Sequence, residues 1–337
     1  MQPLGEKLAS IRKVAPMVTQ KECLERFPTL NTSTTKTGWE HADSQFPIRI
    51  TRSWANRIQS LSDPLAKQVF PQPSEMTQLR FTDALENPVG EKDKIPVPFV
   101  VQKHENRALL LVSRKCHLHC RYCFRRTLDD LVEPTEAELN IAIDYLLNSG
   151  VEEVILSGGD PLFLNNDRLQ QILERLNSIP TIRIHTRAPI TFPSRVNEGL
   201  IRTLSVHSNI WIIVHCNHSQ ELNDEVKHGL KWIRNAGIPL LNQSVLLKGV
   251  NDDASILAEL SRTLVRIGIF PYYLHHTDRV QGAEDFFVSL QDGMALYQEL
   301  EQRISGIALP KYVIDLPDGS GKIPVNRYIN RLNLLQK

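Results

Sequence analysis

Residues 107–123, RALLLVSRKCHLHCRYC, decide the fold, because a buried apolar run leads directly into a loop with three cysteines. The run predicts a strand that is covered on both faces, as in a parallel sheet. From residue 107 to about 273, short apolar runs alternate with longer amphipathic stretches, which is typical of βα units. The predicted strands are 108–113, 153–157, 181–185, 210–215, 240–247 and 269–274.

Amphipathic stretches between the strands predict helices, several of which begin at capping residues and end near Gly or Pro. These helices are 136–148, 167–177, 193–204, 222–236 and 253–267. Each connection is long enough for right-handed parallel pairing. The predicted fold is therefore α/β, a partial (β/α)6 TIM-like barrel over residues 101–285.

The flanking regions differ from the barrel in composition. Residues 1–100 are richer in Pro, Thr and polar residues, and they predict a mainly helical accessory region with one helix at 53–61. Residues 286–337 predict a helix at 290–304, followed by a β-branched run and a glycine-bearing loop around a lysine.

Composition excludes several classes of protein. The 337 residues are 41% hydrophobic and 23% charged, as in globular proteins, and a net charge of +1 argues against binding to nucleic acid. No apolar run approaches the roughly 20 residues that span a bilayer, and residues 1–13 lack the apolar region of a secretory signal. We therefore predict a cytoplasmic protein without a membrane partner.

The cysteines carry the first sign of chemistry. Cys116, Cys120 and Cys123 are too close in sequence to form a disulfide framework, whereas Cys23 and Cys216 are predicted to be ordinary thiols. Three thiolates at this spacing can hold a 4Fe-4S cluster and leave one iron open. A zinc site that uses His117 or His119 is the alternative, but no second pair of ligands is present, and the cluster is favoured.

The C-x3-C-x2-C spacing with an aromatic residue before the last cysteine resembles the radical S-adenosylmethionine (SAM) superfamily. The resemblance implies that SAM binds the open iron and yields a 5'-deoxyadenosyl radical. It also implies that Ser157, Gly158, Gly159 and Asp160 contact SAM. A double glycine alone is more typical of a plain tight turn, but its position at the next strand end after the cysteine loop favours the SAM contact.

Polar residues also interrupt two predicted strands, at His215 and Asn217 and at Gln243. From the pattern alone they form either a structural hydrogen-bond network or a ligand site. The family described next places matching residues around SAM.

Lys322 lies in PDGSGKIP, which lacks the glycine spacing and the Ser or Thr of a phosphate-binding loop, so an exposed lysine is the default interpretation. However, NRALLLV, CRYCFRR, SGGDPL, NQSVLLKGVND, PYYLHHTD and YVIDLPDGSGKIPV resemble the lysine 2,3-aminomutase family, over about residues 46–325. This resemblance implies that Lys322 anchors pyridoxal 5'-phosphate (PLP) as an imine.

The same resemblance implies roles for five further residues. Lys103 and Arg107 would contact the PLP phosphate, Arg125 the substrate carboxylate, and Asp278 with Asp315 the side-chain ammonium. The implied reaction converts (S)-α-lysine to (R)-β-lysine, with electrons from a reductant such as flavodoxin or ferredoxin.

Within this family, PIRITRSW and CRYCFRR resemble the branch that supplies (R)-β-lysine for modification of elongation factor P together with its lysyl ligase. The cysteines that bind zinc at a subunit contact in the other branch do not follow Lys322 here. A homodimer through other surfaces remains open. The alternatives are production of free β-lysine for metabolism and a 2,3-aminomutase of another amino acid.

Overall fold

The computed structural model describes residues 17–27, 33–72, 75, 85, 87–127 and 132–335. Residues 1–13, in which the sequence shows no secretory signal, lie outside these ranges. Across the described ranges, none of the helices combines the length and the apolar character that crossing a membrane requires.

A single nine-stranded sheet, with its strands in sequence order, forms the framework of the protein. Its central seven strands are parallel, and the first and last strands pair antiparallel at the two edges. The strands are β1 (Val100–His104), β2 (Arg107–Ser113), β3 (Glu153–Gly158), β4 (Thr181–Thr186), β5 (Ile210–His215), β6 (Leu240–Val245), β7 (Phe270–His275), β8 (Lys311–Leu316) and β9 (Gly321–Pro324).

The partial barrel of the prediction is confirmed, and all six predicted strands are present as β2 to β7. The sequence did not predict β1, β8 and β9 as strands of this sheet. β1 ends in the half-buried polar residues of QKH, and β9 has only four residues, which include a glycine and a proline. Short polar edge strands carry little hydrophobic pattern, so β1 and β9 could not be recognised from periodicity.

Helices cover the outside of the sheet, and four helices lie in the described part of the accessory region. They are α1 (Gln20–Arg26), α2 (Ser33–Gln45), α3 (Arg52–Ala55), α4 (Pro64–Lys67), α5 (Glu136–Asn148), α6 (Asn166–Arg175), α7 (Ala188–Thr191), α8 (Glu198–Leu204), α9 (Asp224–Asn235), α10 (Ala254–Arg266), α11 (Leu290–Arg303) and α12 (Val325–Leu335).

Two helix predictions were wrong in extent. The helix expected at 53–61 is only α3, because Asp63 accepts hydrogen bonds from the backbone of residues 65 and 66 and starts α4 at Pro64. The helix expected at 193–204 is divided, because Asn197 caps a new helix through the backbone N–H of Leu200, at 3.0 Å.

The two faces of the strands have different roles. Along β4, Ile182 and Ile184 are fully buried in the core shared with the helices, so Arg183 and His185 point to the opposite face, inside the barrel. That interior face carries polar side chains near the carboxyl ends of the strands, including His215, Gln243 and Asp315. Barrel enzymes carry their chemistry at this end.

Candidate active site

The cysteine loop follows β2 and is fixed by a carboxylate from the accessory region. Arg121 is fully buried and bonds through Nε to both oxygens of Glu75, at 3.0 and 3.2 Å, and through Nη1 to the carbonyl of Phe46, at 2.8 Å. Arg126 donates to the same carboxylate at 2.7 Å. The carboxylate of Glu75, in the accessory region, therefore holds the loop through the two buried guanidinium groups of Arg121 and Arg126.

The three cysteines share a confined space. Burial, reinforced by negative charge on the neighbouring cysteines, raises the pKa of Cys116 and raises that of Cys123 to about 11. Thiolates in this loop therefore need positive charge close by, which iron supplies, so the donor set fits a cluster. In the described ranges, no three His, Cys, Asp or Glu side chains are arranged to hold one metal ion, and a cubane instead binds each thiolate at a separate iron.

Arg187 connects the cysteine loop to the strand ends. Its Nη1 donates to Sγ of Cys120 at 2.8 Å, and its Nη2 donates to Gln68 at 2.6 Å and to the carboxylate of Glu221 at 3.1 Å. The guanidinium also packs on the ring of Trp54, 4.7 Å from its centroid. It places a buried positive charge beside one thiol.

The double glycine after β3 packs against the start of the cysteine loop. A Cβ on Gly158 would lie 2.3 Å from the carbonyl oxygen of Ser113, and one on Gly159 would lie 2.4 Å from that of Lys115. The N–H groups of Gly159 and Asp160 donate to these same two carbonyls, at 2.6 and 2.9 Å. The cysteine loop therefore occupies the N–H groups of Gly159 and Asp160.

Asp160 is 5% exposed, and both of its carboxylate oxygens are occupied. One accepts from the N–H of Leu162 and the hydroxyl of Thr186, and the other accepts from the N–H groups of Arg187 and Ala188, at 2.6 to 2.9 Å. This carboxylate fastens the turn after β3 to the turn after β4.

The polar residues of β5 and β6 divide into two groups. Asn217 is buried within a network in which its side chain donates to Gln68 and Tyr122 and accepts from the N–H of Val245. By contrast, the ring of His215 on the barrel interior contacts the amide of Gln243 and lies edge to face with the ring of His185, with 6.2 Å between the ring centroids, and burial lowers its pKa to about 3. The neutral imidazole and the amide are available to a ligand in the barrel.

Lys322 lies on β9, directly opposite Asp315 on β8. Its Nζ is 3.1 Å from Oδ2 of Asp315, and the side chain is 40% exposed. Burial acts to raise the pKa of Asp315, but the ammonium of Lys322 and the nearby ring of His275 outweigh it and hold this pKa below its ordinary value. The lysine therefore faces the barrel interior and not bulk solvent alone.

Asp278 follows β7 and belongs to the same electrostatic group. Burial, reinforced by the charge of Asp315, raises the pKa of Asp278 to about 7, although Lys322 and Lys103 oppose the shift. Two carboxyl groups in one desolvated place repel each other until a cation joins them. A pair of this kind is a candidate site for a ligand ammonium.

Lys103 and Arg107 flank the lysine strand from the other edge of the sheet. The Nζ of Lys103 donates to the carbonyl of Val89, and burial lowers its pKa while Asp315 acts in the opposite direction. Arg107 contacts Asn106 at 3.4 Å, and with burial it lowers the pKa of His104, whose ring adjoins Gly321. Both cations therefore lie near the strand that carries Lys322.

Arg125 is 10% exposed and lies two residues after the last cysteine. Its Nη2 pairs with Oε1 of Glu91 at 2.8 Å, and its Nη1 is buried with no hydrogen-bond partner among the described residues. An unpaired buried guanidinium nitrogen is costly, and it offers a position for an anionic ligand group.

Several residues of this site were not identified in the sequence, among them Glu75, Glu91, Arg187 and His275. A charge directly after a predicted strand, in IHTRAP, was the available signal for Arg187. Glu75 and Glu91 lie in the accessory region and carry no local signal, since only the tertiary fold brings them to arginines.

Comparison with known proteins agrees with this geometry. The Radical SAM superfamily model matches residues 110–260. The L-lysine 2,3-aminomutase of Buchnera aphidicola is 39% identical over 289 residues, which cover 83% of this chain and 84% of the relative. The chain belongs to the L-lysine 2,3-aminomutase family.

Further relatives have the same name. The L-lysine 2,3-aminomutase of Escherichia coli is 34% identical and is aligned over 94% of each chain. That of Clostridium subterminale is 36% identical, with 78% of this chain and 64% of the relative covered. This aminomutase is accordingly an isomerase with a radical SAM core, and the superfamily implies a 4Fe-4S cluster and SAM.

Proposed function

We propose that this aminomutase converts (S)-α-lysine to (R)-β-lysine with PLP attached to Lys322. The observation that carries the proposal is the cluster of charged side chains around this lysine. The cluster consists of Asp315 on β8, Asp278 after β7, and Lys103 on β1 at the opposite edge of the sheet. A cofactor phosphate and a substrate ammonium would both find opposite charge there.

The residues present suit PLP. Lys322 provides the amine, and Lys103 with Arg107 provides positive charge for the phosphate. Three imidazoles inside the barrel, His185, His215 and His275, are kept neutral because burial lowers the pKa of each. When bound, PLP supplies an electron-delocalising group that carries the migrating amino nitrogen, and the cluster with SAM supplies the carbon radical.

For SAM, the residues fall into contact and positioning roles. Ser157, His215 and Gln243 lie on the interior face of their strands, Gly158 packs on the carbonyl of Ser113 beside the cysteine loop, and we assign ligand contact to these four. The N–H of Gly159 and the side chains of Asp160 and Asn217 are occupied by protein partners, so we assign to these residues the role of holding the loop and strand ends in place.

The substrate would lie between two charged ends. Arg125 offers its unpaired Nη1 to the carboxylate, while Asp278 and Asp315 receive the side-chain ammonium. The protein's tasks are to orient the substrate, exclude water and confine the radical. The pair of carboxylates disfavours an acidic side chain, which argues against a glutamate aminomutase.

The test compares Lys322→Ala with Lys311→Ala, an exposed lysine on β8 as the matched control. After anaerobic reconstitution with iron, sulfide, SAM and PLP, borohydride should fix PLP covalently to the wild type and the control but not to Lys322→Ala. Mass spectrometry should find β-lysine with the first two only. Covalent PLP and intact cluster without β-lysine from L-lysine would contradict the proposal.

We further propose that the product serves elongation factor P through its lysyl ligase, with a flavodoxin or ferredoxin as reductant. The resemblance of PIRITRSW and CRYCFRR to that branch supports this role. Elongation factor P, incubated with its ligase, L-lysine and the aminomutase, should release β-lysine on acid hydrolysis and chromatographic separation of the two lysine isomers, and only when the aminomutase is present. A modified factor that releases no β-lysine, with an aminomutase that is active on free lysine, would refute the role.

A further inference from the structure

Residues 87–94 of the accessory region form a strap across the site described above. Gly90 approaches the lysine loop so closely that a Cβ there would lie 2.3 Å from the backbone nitrogen of Gly319. Val89 accepts from Lys103, and Glu91 pairs with Arg125. The strap therefore touches the phosphate end, the lysine loop and the carboxylate end at once.

The backbone of the strap is fixed on the N-terminal side of Glu91. The side chain of Asn87 accepts from the N–H of Glu91 at 2.9 Å, and the carbonyl of Asn87 accepts from Gly90 at 3.2 Å. Just before it, the N–H of Leu85 donates to the carbonyl of Arg279, the residue after Asp278, at 2.8 Å. These hydrogen bonds hold the backbone of Glu91 in place beside the active site.

The Glu91 carboxylate lies in the same electrostatic group as the two aspartates. Together with burial, its charge raises the pKa of Asp278. Glu91 also raises the pKa of Lys103, whereas Arg125 lowers it. Because carboxylates and cations lie this close together, the guanidinium of Arg125 would be attracted to Asp278 or Asp315 if Glu91 did not hold it. Such a contact would block the ammonium end and empty the carboxylate end.

We infer that Glu91 is a positioning residue that holds one nitrogen of Arg125, so that the other nitrogen receives the substrate carboxylate and the two ends of the site stay separate. This inference rests on the proposed function, which assigns the carboxylate to Arg125.

The experiment is a double-mutant cycle on the reconstituted holoenzyme, with Glu91→Ala, Arg125→Ala and the double variant, and with iron and PLP content measured for each. Glu91→Ala should raise KM for L-lysine about tenfold while kcat changes less, because orientation is lost at the binding step. Glu91→Gln keeps an acceptor oxygen and should stay within about threefold of the wild-type KM.

The cycle separates positioning from support of the strap. In the Arg125→Ala background, Glu91→Ala should change KM by less than about twofold, since there is no guanidinium left to orient. A rise as large as in the wild-type background would overturn the inference, as would an unchanged KM in Glu91→Ala alone. If Arg125→Ala itself leaves KM unchanged, the assignment of the carboxylate to Arg125 fails instead.

Discussion

Replacing Asp278 by asparagine should make the cofactor-free protein more stable at pH 8 while leaving it unchanged near pH 4. Burial and the adjacent Asp315 raise the pKa of Asp278 from 3.8 to about 7. Each tenfold change in proton affinity corresponds to about 1.4 kcal/mol, so ionising this carboxyl in the folded protein costs about 4 kcal/mol.

The sign follows from proton linkage. Between pH 3.8 and 7 the folded state of the wild type holds a proton on Asp278 that the unfolded state has lost, so stability falls as the pH rises through this range. Because asparagine cannot ionise, Asp278→Asn does not lose this stability as the pH rises. The difference in unfolding free energy between Asp278→Asn and the wild type should therefore grow by up to about 4 kcal/mol from pH 4 to pH 8.

The assay is denaturant unfolding of both proteins at several pH values, under anaerobic conditions with a thiol reductant. Asp318→Asn is the control, because Asp318 is exposed and a hydrogen bond from Ser320 lowers its pKa, so that variant should gain no stability at high pH. Parallel pH profiles for Asp278→Asn and the wild type would refute the reasoning. In the active enzyme, wild-type kcat/KM for lysine should rise through about pH 7, and Asp278→Asn should lose this rise.

Two further substitutions test the support of the cysteine loop. Gly159→Ala places a methyl group against the carbonyl of Lys115, so reconstituted protein should bind about half of the wild-type iron or less, whereas Gly306→Ala, which has open space around it, should bind iron normally; equal iron in both would contradict this packing. Glu75→Ala leaves the buried guanidinium of Arg121 without its carboxylate and should cost about 3–5 kcal/mol in denaturant unfolding; a loss below about 1 kcal/mol would count against the buried pair.

The barrel could be predicted from the sequence because its strands are short apolar runs separated by helices, and Leu110, Leu156 and Ile184 lie in the core as the pattern requires. The cysteine spacing likewise predicted membership of the radical SAM superfamily, which the match over residues 110–260 confirms. Both signals lie within short stretches of the sequence, so they can be recognised without the tertiary fold.

The rest of the site depends on contacts between distant segments. Glu91 and Arg125 are 34 residues apart, and Gln68 and Asn217 are 149 apart, so no local pattern pairs them. The sequence also could not show that the carboxylate of Asp160 is saturated, because the groups that donate to it come together only when the turns after β3 and β4 meet.

The position of Lys322 on the ninth strand has a consequence for synthesis of the protein. The spatial order of the strands is also the order in which the ribosome makes them, and the partner of Lys322, Asp315, lies on the preceding strand. A nascent chain with seven strands therefore has the cysteine loop but lacks both Lys322 and Asp315. Under the proposed attachment of PLP to Lys322, only a chain whose synthesis has reached the ninth strand can bind the cofactor aldehyde.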